Sequence, residues 1–281
     1  MMRRVSVSIV LVLFSVMLML PRASAVPALT TAYASNWSGY VATTPGQYSS
    51  VSASWAIPSV STSSTAVYSS VWIGIGGWYA NSNRLIQVGT DQDVLNNGSA
   101  VYFAWREVYP GPGFLIGYVS PGDSIAATIS QVSSNASMWR ILVIRNSVTF
   151  LNLTIRARVS VASQNTAEFI VERPAIQVGR RDQLTTLANF GTVTFSQCST
   201  NQGALVSLTS AVMVVMTGTG NNTGQYLAQP GTLEATSDGF TVRYLVGSTV
   251  DEFSSVPLVS ILALISSVLG FRLISRIKAK K

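Results

Sequence analysis

The chain has 281 residues, with 18 Lys and Arg against 11 Asp and Glu, one cysteine and no histidine. Eight of the basic residues lie at the two ends, so residues 26–252 hold ten arginines and no lysine against all eleven acids, a net charge of −1 that leaves no basic surface for nucleic acid. The missing histidine excludes Ser-His-Asp and Cys-His nucleophiles, and the lone Cys198 excludes a Cys-ligated zinc and an intrachain disulfide.

Met1–Arg4 is basic, Val5–Leu20 is apolar, and Ala23-Ser24-Ala25 is a small-x-small cleavage pattern. Residues 1–25 therefore read as a signal peptide. From 26 to 246 the chain reads as short strands and turns rich in Ser, Thr, Val, Gly and aromatics. The expected strands are Ser38–Val41, Ser50–Ala56, Val67–Ile75, Asn83–Thr90, Ala100–Tyr109, Ser124–Val132, Met138–Asn146, Thr149–Val161, Thr166–Glu172, Leu187–Ser196, Ala211–Met216 and Phe240–Val246. Pro45-Gly46, Asn97-Gly98, Pro110-Gly111-Pro112-Gly113, Pro121-Gly122-Asp123 and Asp238-Gly239 mark turns between them. Strands at this spacing imply an all-β sandwich or barrel. Residues 247–255 read as a stalk. Residues 256–274, apolar but for Ser260, Ser266, Ser267 and Arg272, read as a single transmembrane helix. The basic tail, 275–281, puts that end inside and the domain outside, at the cell surface. Five Asn-x-Ser/Thr sequons, at Asn36, Asn97, Asn135, Asn152 and Asn221, suit such a location.

Three of these strands break their own pattern. In Ala167-Glu168-Phe169-Ile170-Val171-Glu172, period two puts Ala167, Phe169 and Val171 on one face and Glu168, Ile170 and Glu172 on the other. Glu107 shares a face with Phe103, Trp105 and Tyr109, and Gln87 sits in the apolar run Leu85–Thr90. Polar groups among aromatics on a sheet face are costly unless partnered, so they mark a candidate site. An ion pair to Arg106 or Arg173 would equally explain Glu172, and core packing would explain Trp37, Trp72 and Trp105.

The order of motifs resembles the glutamic peptidases, or eqolisins. Ser35-Asn36-Trp37-Ser38-Gly39 resembles their opening. Ala53-Ser54-Trp55-Ala56-Ile57-Pro58 resembles their first core strand. Val71-Trp72-Ile73-Gly74-Ile75-Gly76-Gly77 resembles Trp-Val-Gly-Ile-Asp-Gly, Leu85-Ile86-Gln87-Val88-Gly89 resembles Leu-Gln-Thr-Gly, and Ala104-Trp105-Arg106-Glu107-Val108-Tyr109-Pro110 resembles Ala-Trp-Tyr-Glu-Trp-Tyr-Pro. Pro121-Gly122-Asp123-Ser124-Ile125, Ala167–Glu172 and Ala188–Phe195 follow in the family's order. The resemblance implies a concanavalin A-like antiparallel β-sandwich of two large sheets. It implies endopeptidase activity in acid on polypeptide substrates, with no cofactor or metal. It assigns Gln87 and Glu172 as the catalytic pair, and Trp37, Trp72, Trp105, Glu107 and Tyr109 as substrate-cleft residues.

The residue types suit that chemistry. A carboxylate can take a proton from water and return it to the leaving amine. A carboxamide can donate to an oxyanion. Two positions depart from the family: Gly76 and Phe103 stand where it has Asp. Two rival readings share the same fold: a glycosidase or sugar-binding module, since paired carboxylates among aromatics suit it, and an inactive surface protein, which Gly76 favours.

Overall fold

Alternation of buried and open residues marks a strand with one wet face. Ser50–Ala56 (β3) and Ser124–Val132 (β8) keep it: Val51, Ala53 and Trp55, and Ile125, Ala127 and Ile129, are buried while their neighbours are not. Trp37–Ala42 (β2), Ser70–Ile75 (β4), Leu85–Val94 (β5) and Ala167–Glu172 (β11) lose it, being buried at every residue. The fold turns on this difference. The computed structural model describes residues 28–249, apart from 80, 81, 83, 134, 158–162, 179, 180 and 220–223.

The remaining strands are Ala28–Ala34 (β1), Ala100–Tyr109 (β6), Phe114–Tyr118 (β7), Asn135–Arg145 (β9), Val148–Arg156 (β10), Ala175–Val178 (β12), Arg181–Leu184 (β13), Thr192–Thr200 (β14), Gly203–Ala204 (β15), Ser210–Thr217 (β16), Gln225–Pro230 (β17) and Phe240–Thr249 (β18). One hydrogen-bonded path runs β10-β9-β8-β3-β14-β18-β17-β16-β2-β11-β4-β5-β6-β7. It folds over into two layers, with β3 packed on β4, β8 on β5 and β14 on β11. The expected two sheets are thus layers of one path. β17 joins them, pairing with β16 on one side and β18 on the other, with a register shift on each. Such irregularities let a strand bend around a corner. β1 adds a parallel strand to β16, and β12 and β13 form a separate hairpin.

Between the layers lies the main core. One layer supplies Tyr40, Val71, Ile73, Ile86, Val88, Phe169 and Val171, and the other Val51, Trp55, Ile129, Trp139, Ile141, Phe195 and Phe240. Each such side chain removed from water contributes about 1.5–3 kcal/mol before entropy is charged. Cys198 is buried in this core, where burial raises its thiol pKa, as expected of a small apolar residue. On its far face the first layer carries a second cluster: Trp37, Val41, Trp72, Leu85, Phe103, Trp105 and Ile170.

The expected strands are found with shifted ends. β5 runs on to Val94, four residues past the expected Thr90, because Asp91, Gln92 and Asp93 are buried and pair with β6. The strand expected to reach Val161 is described only to Arg156. β1, β7, β12, β13, β15 and β17 lie outside the expected strands: they are short, and β1 and β7 lie on sheet edges with little apolar alternation. The signal peptide and transmembrane segments lie outside the described residues. Among the described residues no helix is long and apolar enough to cross a membrane.

Trp72 faces Gly89 across β4 and β5. A Cβ at Gly89 would stand 2.5 Å from both the Trp72 Cβ and the Val71 carbonyl oxygen. Gly89→Ala is therefore expected to cost about 2–3 kcal/mol of stability, read as a lower urea midpoint at unchanged m.

Candidate active site

The far face of the first layer is set out by its register. Glu172 pairs with Trp37 on β2 and Ser70 on β4. Gln87 pairs with Gly74 on β4 and Glu107 on β6. Trp72 lies between these rows, opposite Ile170 on one side and Gly89 on the other. Period two then puts Glu172, Trp72, Gln87, Trp105, Glu107 and Tyr109 on one face.

The Glu172 carboxylate is buried and held by two side chains. The Trp72 indole N–H donates to Oε2 at 2.7 Å, and the Asn36 amide donates to Oε1 at 3.3 Å. Trp37 also faces this carboxylate and favours its charged form, although its N–H lies outside hydrogen-bond geometry. Burial outweighs these donors and raises the Glu172 pKa to about 8, with repulsion from Glu107 and Asp91 adding to it. The ion-pair explanation does not apply: Arg106 lies over the Phe114 ring, and Arg173 donates to the Thr185 carbonyl.

Gln87 is buried and donates through Nε2 to Glu107 Oε2 at 2.9 Å, while its Oε1 accepts no hydrogen bond. Glu107 thus orients the carboxamide, and burial raises the Glu107 pKa to about 8. Position 76 takes no part in this. Gly76 has φ +89°, and a Cβ there would lie 2.6 Å from the Arg84 and Ser163 carbonyl oxygens, so the backbone itself excludes an Asp.

Trp37, Trp72 and Trp105 are buried in the far-face cluster, and Tyr109 is half-buried against it. The aromatic rings are therefore packed, as the bland reading expects, but packed around the polar groups rather than in the main core. All seven candidate residues stand on this face.

Two residues of the site escaped the sequence reading. Asn36 appeared there as a glycosylation sequon, yet it is buried against Glu172 and cannot carry a glycan. Its place beside Trp37 in the opening motif was the available signal. Asp91 accepts from Ser70 Oγ and Trp105 Nε1, both at 2.5 Å. It follows Gln87 and Gly89 at period two and was missed because the strand was ended at Thr90. Burial raises its pKa to about 7. Phe103, in place of the family's Asp, is paired with it across β5 and β6.

Glu168 shares the strand face of Glu172 but is set apart from it by Ile170. It is fully buried, and burial raises its pKa well above the usual range. Among the described residues no three His, Cys, Asp or Glu side chains gather as metal ligands would.

With this geometry in view, the comparisons are specific. The Peptidase A4 family model matches residues 35–244. Aspergillopepsin-2 of Aspergillus niger is 28% identical over 195 residues, spanning 61% of this chain and 66% of its own length, just under two thirds. The structure of scytalido-glutamic peptidase with a transition state analog inhibitor superposes at TM-score 0.60 and 22% identity, over 75% of this chain and 98% of that one. SCP-B, an eqolisin bound to the tripeptide Ala-Ile-His, superposes at 0.56 and 22% over the same shares. At that identity the structures speak for the fold alone, a β-sandwich of the eqolisin type. The chain belongs to the peptidase A4 family.

The buried acids also set the pH dependence of folding. Asp91, Asp93, Glu107, Glu168 and Glu172 all hold their protons to higher pH in the fold than when unfolded. From the unfolded carboxyl range near 4 up to about 8 the native state binds more protons, so its stability falls as pH rises. Asp123 works the other way. Burial alone would raise it, but hydrogen bonds from Asn146, Ser120 and Arg145 outweigh that and lower it, so its contribution is lost only in stronger acid. Thermal melts should show the highest Tm near pH 4 and a steady decline toward pH 8.

Proposed function

We propose that this chain is an acid-active endopeptidase in which Glu172 is the general base and then acid, and Gln87 is the oxyanion donor. The observation that carries this reading is one dry aromatic face holding a donor-bound carboxylate, Glu172, and an oriented carboxamide, Gln87, whose buried carbonyl oxygen accepts no hydrogen bond within the protein. Glu172 takes a proton as water attacks the peptide carbonyl carbon. The second N–H of Gln87 Nε2, the one not given to Glu107, meets the oxyanion. Glu172 returns the proton to the amide nitrogen, the C–N bond breaks, and an acid and an amine leave. The reaction needs no metal, and Trp37, Trp72, Trp105, Glu107 and Tyr109 line the polypeptide-binding cleft.

The raised pKa of Glu172 favours the donating half of this cycle and opposes the base half. Burial is its largest cause, and water entering with substrate relieves it. The Trp72 N–H favours the ionised form. In acid, Glu107 and Asp91 are neutral and no longer repel Glu172. Above their pKa values, about 8 and about 7, their charge opposes both the carboxylate and the oxyanion. Activity is thus confined to the acid side.

Two variants test the pair on a denatured protein substrate between about pH 2 and 7. Glu172→Gln is expected to lower kcat/KM by about 10³-fold with a wild-type melt in acid, and Gln87→Ala by about 10²–10³-fold with a lower Tm, since it leaves Glu107 without its donor, in a protein that still folds. A folded wild type that cleaves nothing at any pH would leave an inactive or sugar-binding sandwich instead. Trp72→Phe removes the strongest donor to Glu172, so the acid limb of its pH–rate profile is expected to move to higher pH.

The same reading makes residues 1–25 an export signal and residues 256–274 a membrane anchor that holds the domain at the cell surface. Mature protein is expected to begin at Val26 by terminal sequencing. It is also expected to stay with membranes after carbonate washing unless the chain is cut before residue 256.

A further inference from the structure

The turn after β4 carries a residue that no family motif above includes. Gly76 and Gly77 both have left-handed φ, +89° and +102°, and the Gly77 N–H donates to Ser82 Oγ at 2.8 Å. The turn brings Trp78 back over β2. There its ring lies nearly parallel to that of Trp37, at 26° and 6.4 Å between centroids. Trp37 meets Trp72 edge-on, at 76° and 5.1 Å, and Trp72 donates to Glu172. Three indoles thus run in a line from the rim of the face to the carboxylate. Trp37 and Trp72 are buried, whereas Trp78 is half-buried, so the ring nearest solvent is Trp78. The cluster around it is apolar: Ala34, Val101, Val212 and Val214 complete it.

We propose that Trp78 is a specificity-determining residue. Its ring, backed by Trp37, is one wall of a subsite that takes a flat or bulky apolar side chain of the peptide, close to the bond that Glu172 cuts. This rests on the peptidase reading. An aromatic wall rewards apolar area and ring stacking, and a charged side chain would find no partner among the residues of this cluster. The left-handed φ at Gly76, which excludes an Asp there, and that at Gly77 turn the chain so that Trp78 lies on Trp37.

The test uses the full-length chain, its Trp78→Ala and Trp78→Phe variants, and pairs of capped octapeptides that differ only by Phe or Ala at each position in turn. At one position the wild type is expected to favour Phe by about 10- to 100-fold in kcat/KM. Trp78→Ala should cut that ratio to about twofold, through KM more than kcat, while Trp78→Phe keeps most of it. An equal loss on Phe and Ala peptides, or an unchanged ratio, would overturn the proposal, since Trp78 would then only brace Trp37 or do nothing. Calorimetric binding of the same peptides to Glu172→Gln, with and without Trp78→Ala, separates the two claims. If the wild type cleaves nothing yet Glu172→Gln binds the Phe peptide more tightly and loses that preference with Trp78→Ala, the subsite stands and the peptidase reading falls. If neither binding nor cleavage tells Phe from Ala, the subsite claim is wrong.

Discussion

The site depends on one hydrogen bond, from the Trp72 indole to the Glu172 carboxylate. It links the most hydrophobic feature of the far face to its most polar one. Trp72 holds this position because Gly89 leaves space beside its Cβ and Gly74 leaves space beside its ring. Trp72 and Asn36 give the buried Glu172 oxygens donors that favour its ionised form. Without them an unpaired carboxylate would sit in a dry place, which costs several kcal/mol or forces it to stay protonated.

That dryness comes from the architecture. The second layer, seen in β3 and β8, has one wet face and needs no polar groups at depth. In the first layer β2, β4, β5 and β11 are buried on both faces, so the polar side chains they carry are removed from water. Ordinarily buried acids pair with cations. Here Arg145 pairs with Asp123 away from the site, while the site acids meet amide, indole and hydroxyl donors. Such neutral partners suit carboxyls that hold their protons, and so suit a molecule at home in acid.

The departures from the family pattern form a coherent set. Gly76 stands where the family has Asp, and Gln87 is oriented by Glu107. Phe103 replaces another Asp beside Asp91, which takes its donors from Ser70 and Trp105. The substitution at 76 also shapes the turn that presents Trp78.

Much was legible in the chain itself. Period two in Ala167–Glu172 separates Phe169 and Val171, which enter the main core, from Glu172, because side chains of a strand alternate whatever the strand packs against. The ordered motifs named the family and its seven candidate residues for the same local reason. What the chain could not tell was which residues meet across strands. That Asn36 holds Glu172, 136 positions away, rather than bearing a glycan, follows only from β2 pairing with β11. That Glu107 rather than Arg106 faces Gln87 follows from the β5–β6 register. That the inner face of this layer is dry follows from the fold-over at β17, while the far face is kept dry by the indoles and aliphatic side chains packed on it. Local sequence determines which side of a strand a residue takes; long-range pairing determines its neighbours, and the neighbours decide whether a carboxyl is a buried acid, an ion pair or a surface charge.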